Sequence, residues 1–568
     1  MDDDGAPVTR VRAAGGRTTA GQLGLLALPL VFLAVFFVWP VARITLLGLA
    51  PDGRFDPSAV TDVMARPSIR RVVWFTTWQA AVSTVLTLAA GIPGAYALHR
   101  LRFRGASVVR AAVTVPFVLP TVVVGSAFLA LLGPQSPVNT TLAWVSAGAL
   151  PTFDLRRSVT AILLAHVFFN YAVVVRTVGG LWAHLDPRTE HVARVLGASR
   201  WRVFTQVTLP LLRGAIASAG AIVFLFTFTS FGVILILGGP GLATIEVEIH
   251  RATTQLLDLR LASVLAVLQL VAVVASLAAY GRLQRRATAQ SLVSTEGGAH
   301  RPSSGSERWF LTGNLAVMVM LLATPLLVLV ERSFATATGH GLGHYQALFG
   351  DGRDTVLAVA PWQAIRNSVV FGLSATVIAL VVGTLAAVAA TGDTPLARGV
   401  DRSLMLPLGT SAVTIGFGFL IALDRSPVDL RGSVLLVPLA QALIATPFVV
   451  RTLLPVLRSI DGRLREAAAT LGAAPREVWR EIDLPIISRA GLVAAGFSFA
   501  VALGEFGATV FVARANWPTM PVAIFRLLGR PGITHFGQAM ALSTVLMVLT
   551  AAAVLAIDRM RVGQVGRF

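Results

Sequence analysis

The amino-acid sequence predicts an all-α polytopic membrane protein, with twelve transmembrane helices arranged as two parallel six-helix repeats. This prediction rests on composition and on an internal duplication. The 568 residues are 55% hydrophobic and 13% charged, with a mean hydropathy of +0.74, whereas soluble domains carry about 25% charged residues. So much apolar surface exceeds what soluble cores bury, and we therefore expect the chain to lie in lipid.

Twelve windows are nearly free of charge and long enough to cross about 30 Å of hydrocarbon. Their lengths favour helices, because membrane β-strands are about ten residues long and alternate in polarity. The first six windows are 21–42, 72–98, 111–132, 158–175, 214–237 and 261–281. The second six are 309–330, 367–392, 403–423, 432–450, 490–513 and 536–557.

The distribution of arginine predicts that both termini are cytoplasmic. The net charge is +19, from 47 Lys+Arg against 28 Asp+Glu. The arginines concentrate after even-numbered spans, which the positive-inside rule places in the cytoplasm of a multi-pass inner (plasma) membrane protein. The linker is rich in Ser, Gly, Ala and Arg, which favours a flexible tether, with a surface helix as the alternative. The predicted segments are a cytoplasmic tail 1–20, a first repeat 21–281, a cytoplasmic linker 282–308, a second repeat 309–559 and a cytoplasmic tail 560–568.

The residue inventory excludes several kinds of chemistry. The chain has no cysteine, so disulfides and thiolate sites are absent. It also has no lysine, and a Walker A loop needs one to bind phosphate. We therefore expect that this chain hydrolyses no ATP and holds no cofactor. There is no metal-ligand or catalytic motif, and the excess of arginine is ascribed to the membrane rather than to nucleic acid, so no enzyme activity is expected.

The strongest sequence feature is a gapless duplication at an offset of 275 residues. Chance alignment of two apolar helices would match Leu and Val, but not polar, Gly and Pro positions. Six is an even number of spans, so both copies have the same orientation and both polar segments lie on one side of the membrane. The equivalent pairs include Arg176 with Arg451, Asp186 with Asp461, Gly197 with Gly472, and Pro210 with Pro485.

The polar segment of the second copy predicts a short helix–turn–helix. Residues 465–471 are good helix formers, and Gly472 supplies the C-terminal turn. Pro475 begins a second short helix at a position where its missing N–H costs nothing, and we expect Pro485 to end that helix before the next span. An interfacial helix that only anchors in headgroups is the alternative, but the occurrence in both copies favours a device that transmits a rigid-body movement.

This segment, REAAATLGAAPREVWREIDLP, closely resembles the EAA loop of ATP-binding-cassette importer permeases, and EHVARVLGASRWRVFTQVTLP resembles a second copy. The resemblance covers almost the whole chain and implies the fused, double-length type of permease. In that family the loop seats in the ATPase subunit, which makes residues 183–212 the first coupling loop and 457–488 the second. The first copy departs from the pattern, with His191 in the place of the acidic residue. The implied contact residues are Ala193, Gly197, Leu209, Pro210, Glu466, Ala467, Ala468, Gly472, Leu484 and Pro485.

The resemblance also implies the function and the partners. The chain would form the translocation path of an importer driven by ATP, with two copies of a cytoplasmic ATPase and an extracytoplasmic substrate-binding protein. One stretch, SFGVILILGGPGLATIEVEIHRATTQLLDLRLASVLAVLQL, is most similar to thiamine permeases. Another, LGEFGATVFVARANWPTMPVAIF, resembles ferric-iron, molybdate and sulfate permeases, and phosphonate-type substrates also occur among fused relatives. Thiamine and ferric iron are the leading substrates. The alternatives are a twelve-span secondary transporter driven by an ion gradient and a membrane-embedded transferase.

Two residues are candidates for the substrate path. Glu505 interrupts an apolar span, where a charge costs about 2.5–3.5 kcal/mol, and such residues usually face a bundle interior or a water-filled path. A hydrogen-bonded packing carboxylate is the alternative. Its repeat equivalent is the neutral Ser230, so no symmetric acidic site is expected. Glu246 and Glu248 are expected in an outer loop, either as a solvated face or as a contact for a cation or a docking protein.

Overall fold

The computed structural model is almost entirely helical, which confirms the all-α prediction. It describes residues 19–51, 53–149, 151–287, 299–336, 339–350, 357–391, 398–399, 403–423, 430 and 432–565. Most of the predicted N-terminal tail, the middle of the linker and the last three residues lie outside these ranges. Within them, extended structure consists of the hairpin Ala335–Thr336 with Gly339–His340 and one bridge between Leu101 and His300.

The first half of the chain contains long helices that follow the predicted spans, with short helices between them. Its first span is continuous through a π-turn at Ala34–Val38. The helices are α1 Thr19–Leu33, α2 Trp39–Leu49, α3 Ser58–Ala65, α4 Pro67–Arg100, α5 Ala106–Val118, α6 Thr121–Leu132, α7 Pro137–Val145, α8 Val159–Ala183, α9 Pro187–Val195, α10 Arg200–Val203, α11 Leu209–Phe228, α12 Gly232–Leu237, α13 Ile245–Thr254 and α14 Leu259–Ala287.

The second half repeats this order. Its first span also contains a π-turn, at Val319–Ala323. The helices are α15 Gly305–Met318, α16 Thr324–Phe334, α17 Gly343–Ala347, α18 Pro361–Ala389, α19 Ala412–Ala422, α20 Leu436–Ser459, α21 Gly462–Thr470, α22 Pro475–Val478, α23 Leu484–Gly504, α24 Thr509–Val512, α25 Met520–Leu528 and α26 Ile533–Val565.

Among the described residues, 11 helices are long and apolar enough to cross a membrane, against the twelve predicted. The predicted span 403–423 contains α19, which has 11 residues. The predicted span 111–132 is divided into α5 and α6 at Leu119, whose backbone is extended (φ −66°, ψ 143°). Pro120 causes the break, because a proline disfavours the α conformation of the residue before it. These two segments are repeat equivalents, so each repeat has a short helix at the same place, and the count of twelve stays a prediction.

The offset of 275 residues recurs in the helix boundaries. α9 and α21 begin at Pro187 and Gly462, and π-turns occupy Phe204–Thr208 and Trp479–Asp483. In both copies a Leu-Pro pair begins the next long helix. The wider π-turn accommodates the proline ring, which would clash with a preceding α-helical turn. The duplication therefore extends from the sequence to local backbone conformation.

The first span of each half packs against the other half. Trp39 Nε1 donates a hydrogen bond to the carbonyl oxygen of Ala422 at 3.2 Å, and the ring centroids of Phe36 and Phe419 are 5.9 Å apart. In the reciprocal direction, α16 packs on α6, and Leu329 is buried in an apolar core that contains residues of both halves. This exchange interlocks the two repeats.

The end of the linker is attached to the first repeat. The backbone N–H of His300 donates to the carbonyl of Arg100 at 3.0 Å, and that of Arg102 donates to the carbonyl of His300 at 2.8 Å. Glu307 of α15 lies 3.6 Å from both Arg200 and His300. These contacts contradict a free tether across the whole of 282–308, because α14 continues to residue 287 and residues 299–308 are held by the neighbouring backbone and side chains. Residues 288–298 lie outside the described residues.

Candidate functional site

The second coupling loop forms the predicted helix–turn–helix. Asp461 caps α21 by accepting a hydrogen bond from the backbone N–H of Arg463 at 3.0 Å, and the helix ends at Thr470. Gly472 has φ +89°, a left-handed conformation that glycine adopts without steric cost. The chain then turns, and α22 begins at Pro475. The turn therefore lies at the glycine that the sequence identified.

The first coupling loop uses the same arrangement. Asp186 caps α9 by accepting from the backbone N–H of Arg188 at 2.9 Å, and Gly197 has φ +86°. Ser199 then caps α10 by accepting from the backbone N–H of Arg202 at 3.3 Å. Each helix start thus has a side-chain acceptor for an otherwise unpaired N–H. Because the glycines and the aspartates are repeat equivalents, the two loops present the same hairpin.

The expectation that Pro485 ends the second arm of the loop is wrong. Residues Arg476–Gly504 form one helical run that is long enough to cross a membrane, and the π-turn at Trp479–Asp483 lies inside it. Arg200–Phe228 is the equivalent run in the first repeat. The second arm of each loop is therefore the extension of a span, so a displacement of the arm moves the span with it.

A side-chain bond across each hairpin joins its two arms. In the first loop, Thr208 Oγ1 donates to Glu190 at 3.0 Å, and Arg100 of α4 pairs with the same carboxylate at 2.7 Å. In the second loop, Arg465 Nε donates to Asp483 at 2.9 Å. Glu190 and Arg465 are repeat equivalents, and so are Thr208 and Asp483. We call these bonds the hairpin staples. They join the same two positions, but donor and acceptor are exchanged. The acceptor lies on the first arm in the first loop (Glu190) and on the second arm in the second loop (Asp483).

The outer surface of both loops is apolar at one repeated position. No residue of α9 or α21 is buried. Leu196 is 82% exposed and Leu471 is 88% exposed, and each stands directly before the left-handed glycine. The two loops thus expose a leucine at the same place of the repeat. Neither leucine is among the contact residues predicted from the motif, although the 275-residue offset and their place beside the glycines could have identified both.

The other predicted contact residues fall into two groups. Ala193 and Ala468 are half-buried and lie on the side of the first arm that faces the bundle. The small side chain at these equivalent positions lets the first arm lie close to the bundle. The exposed residues are Gly197, Leu209, Pro210, Glu466, Ala467, Gly472, Leu484 and Pro485.

The structure gives Glu505 hydrogen-bond partners within its own segment. The carboxylate is 7% exposed and accepts from the backbone N–H groups of Ala508 at 2.7 Å and Thr509 at 3.0 Å. The Thr509 hydroxyl donates to it as well. The carboxylate thus pairs two backbone N–H groups at the start of α24 that have no partner within the helix, and this matches the packing alternative. Ser230 is likewise engaged, because its hydroxyl lies 2.9 Å from His166 Nε2.

Aromatic rings from both repeats meet at the centre of the bundle. Phe231 and Phe506 are stacked, with centroids 5.5 Å apart and an interplanar angle of 24°. His250 lies 5.5 Å from Phe231 and 6.4 Å from Phe525. Phe231 and Phe506 are equivalent at the 275-residue offset, and so are His250 and Phe525. The rings therefore surround the pseudo-twofold axis that relates the repeats.

The expectation that Glu246 and Glu248 lie in an outer loop is wrong. Glu246 is 0% exposed and Glu248 is 7% exposed. α13 folds back along α14, and Gln269 Nε2 donates to Glu246 at 3.0 Å. Gln269 is ten residues along α14 from Leu259, which is about 15 Å at 1.5 Å per residue. Glu246 thus lies near the middle of the span and belongs to the centre of the bundle.

The described residues contain no group of three or more His, Cys, Asp or Glu side chains placed to hold a metal ion. The two loops and the central contact between the repeats are the candidate functional features. A duplicated bundle of membrane-spanning helices, with two equivalent stiff hairpins on one side, has the architecture of a transport subunit that takes its energy from partner proteins.

Comparison with known proteins gives the class. The family described as binding-protein-dependent transport system inner membrane component matches residues 87–289. The thiamine transport system permease protein ThiP of Brucella abortus is 28% identical over 93% of this chain and 94% of that protein. ThiP of Salmonella typhimurium is 27% identical over 83% of this chain and 86% of its own length. A bacterial ABC transporter involved in alginate import aligns with a TM-score of 0.41 and 17% identity over 47% of this chain and 95% of that chain.

The chain is a fused, double-length permease subunit of the binding-protein-dependent ABC importers. It is a multi-pass protein of the inner membrane and a transport subunit, not an enzyme. Its partners are ATPase subunits and a periplasmic substrate-binding protein. The family match covers the first repeat, and the full-length relatives cover both, which decides against the secondary transporter and the transferase as alternatives.

Proposed function

We propose that this permease imports thiamine. The supporting observation is the similarity to thiamine permeases along nearly the whole chain, at 28% identity over 544 residues. Thiamine carries a permanent positive charge on its thiazolium ring. The buried carboxylate of Glu246 and the central aromatic rings suit a cation of that kind. Ferric iron, the second substrate suggested by the sequence, provides the comparison in the test.

Uptake by the reconstituted transporter tests the substrate. The permease, its ATPase subunits and its binding protein are placed in proteoliposomes, and ATP-dependent accumulation of labelled thiamine is measured. Unlabelled thiamine should abolish accumulation of the label, whereas excess ferric citrate or 2-aminoethylphosphonate should leave it unchanged. A non-hydrolysable ATP analogue is the control for coupling. ATP-dependent accumulation of iron without accumulation of thiamine would contradict the substrate assignment.

We also propose that each coupling loop seats in one of two ATPase subunits. The equivalent hairpins, the exposed Leu196 and Leu471, and the continuity of each second arm with a span support this proposal. Leu471→Asp should weaken ATPase binding, because it places a charge where an apolar contact forms. Thr470→Asp is the matched control, since it adds the same charge one residue away and removes no apolar side chain. Equal ATPase affinity of the two variants would contradict the proposed contact.

The proposed orientation places both loops and both chain termini in the cytoplasm. The support is the concentration of arginine in the loops and in the linker. This orientation sets the hairpins on the side where ATP is available. The substrate-binding protein would then meet the opposite face, which includes α7 (Pro137–Val145) and the segments on either side of it.

A further inference from the structure

Glu246 makes a hydrogen bond between the two repeats deep inside the bundle. One carboxylate oxygen accepts from Gln269 Nε2 at 3.0 Å, and the other accepts from Ser411 Oγ at 2.5 Å. Gln269 belongs to the first repeat, whereas Ser411 caps α19 of the second. Glu246 is 0% exposed and Ser411 is 8% exposed. The carboxylate therefore lies on the surface where the two repeats meet.

The surroundings of Glu246 offer more hydrogen-bond acceptors than donors. A carboxylate accepts up to about four hydrogen bonds, and this one has two. Gln269 is 1% exposed, and its Oε1 has no hydrogen-bond partner among the described residues. Its Nε2 is already bonded to Glu246, so the unpaired Oε1 lies beside the same carboxylate. No basic residue in the described part of the chain forms an ion pair with Glu246. A buried carboxylate without a cation costs several kcal/mol, so the arrangement suits a ligand that brings positive charge.

Aromatic rings stand next to this carboxylate. His250 is one helical turn beyond Glu246 on α13, so the two side chains share a face. The His250 ring contacts Phe231 at 5.5 Å and Phe511 at 5.3 Å. Faces of aromatic rings attract organic cations, most strongly where water is excluded. Carboxylate and rings together have the chemistry of a site for a cationic aromatic molecule.

The pair of Glu246 and Gln269 occurs in one repeat only, although the aromatic rings around it come from both repeats. At the 275-residue offset, Glu246 corresponds to Pro521 and Gln269 to Thr544. The rings, in contrast, are contributed by both repeats. A single carboxylate in a two-sided aromatic frame suits a substrate that carries a single positive charge.

We propose that Glu246 recognises the positive charge of an organic cation between the repeats, and that the Ser411 hydroxyl donates its hydrogen bond to this carboxylate while the path is closed. The inference rests on the proposed import of thiamine and names the residue that selects it. Separation of the repeats breaks the bond to Ser411 and leaves the carboxylate and Gln269 Oε1 facing the path. In the closed conformation the same bond holds the repeats together.

The test compares Glu246→Gln with Glu248→Gln in the reconstituted transporter. Glu248 lies on the same helix and is 7% exposed, so it controls for burial and for the chemistry of the substitution. Glu246→Gln removes the charge but keeps the shape, and the new amide can donate to Gln269 Oε1, so we expect the variant to fold. Initial rates of thiamine uptake and of ATP hydrolysis stimulated by the loaded binding protein are measured together with the melting temperature.

The expected result is a loss of thiamine uptake of at least tenfold in Glu246→Gln at unchanged stimulated ATP hydrolysis, with less than a twofold change in Glu248→Gln. Glu246→Asp should recover part of the uptake, because it restores the charge. Ser411→Ala should raise basal ATP hydrolysis without the binding protein, because it removes the bond that holds the repeats together.

Two outcomes would overturn the inference while the substrate assignment stands. One is that the wild-type transporter takes up thiamine and that the initial rate of the Glu246→Gln variant lies within twofold of the wild-type rate. The other is an equal loss in Glu246→Gln and Glu248→Gln with lowered melting temperatures, which would indicate a structural role. Absence of thiamine uptake by the wild-type transporter would overturn the substrate and the recognition role together.

Discussion

Replacement of Gly472 by alanine tests whether the conformation of the loop determines how the ATPase binds. Gly472 has φ +89°, and a Cβ added there would meet no atom within 4 Å. The cost of Gly472→Ala is therefore the left-handed backbone itself, about 1–2 kcal/mol for an L-residue. This free energy corresponds to a factor of about 5–30 in the population of the turn. We expect the affinity for the ATPase subunit to fall by the same factor.

The assay is binding of the purified ATPase subunit to the permease in nanodiscs, followed by uptake in proteoliposomes. Gly462→Ala is the matched control, because Gly462 begins α21 and an added Cβ there also meets no atom within 4 Å. Its φ is not left-handed, so alanine should leave affinity within twofold. Gly472→Asn should lose less affinity than Gly472→Ala, since asparagine tolerates the left-handed region. Gly472→Glu adds bulk and charge at the surface and should abolish uptake.

The reasoning would be refuted by Gly472→Ala and Gly462→Ala having the same ATPase affinity. It would also be refuted by a loss in Gly472→Asn as large as that in Gly472→Ala, because the backbone explanation requires the ranking glycine, asparagine, alanine. Loss of membrane insertion would point to folding instead, but no apolar span is altered by these substitutions.

Three further predictions concern other parts of the chain. A cysteine introduced at the exposed Ser303 should react with an impermeant reagent only from the cytoplasmic side, and one introduced at the exposed Thr152 only from the outer side. Labelling of both from one side would contradict the proposed orientation. Glu505→Gln should lower the melting temperature, because the amide keeps one acceptor oxygen for the two N–H groups and loses a hydrogen bond worth about 0.5–1.5 kcal/mol, and it should leave uptake per folded molecule unchanged. Lost uptake at an unchanged melting temperature would instead place Glu505 in the path. A double-mutant cycle of Arg465→Ala and Asp483→Ala should give a coupling of about 0.2–1 kcal/mol in thermal unfolding, because the pair is partly exposed; strict additivity would exclude the staple.

The sequence was sufficient for the features that depend on local chemistry. Gly197 and Gly472 mark left-handed turns because other residues are strained there, and Asp186 and Asp461 cap the first arms because a carboxylate accepts from free N–H groups. The duplication could be aligned because polar, Gly and Pro positions repeat without a gap. These signals are contained within a few residues, so they can be recognised without knowledge of the tertiary structure.

The features that the sequence did not reveal depend on packing between distant segments. Glu246 stands in a short polar stretch that is typical of a loop, and only the return of α13 along α14 buries it. The continuity of the helix through Pro485 depends on a π-turn, which has no clear sequence signal. The packing of each first span against the other half could not be predicted, because a span has the same apolar sequence pattern whichever half it contacts.

The hairpin staples have a consequence for how the two repeats differ. In a permease built from two identical chains, any substitution appears at both symmetric positions at once, so an acid on the first arm of one loop stands on the first arm of the other. In the fused chain each position changes separately, and the staple has an acceptor on the first arm at Glu190 but on the second arm at Asp483. Transplanting the first arm alone from the first loop to the second would therefore set Glu190 against Asp483, two carboxylates without a donor between them. Exchange of the whole hairpins would also be unfavourable, because Arg465 would then take the place of Glu190 beside the buried Arg100.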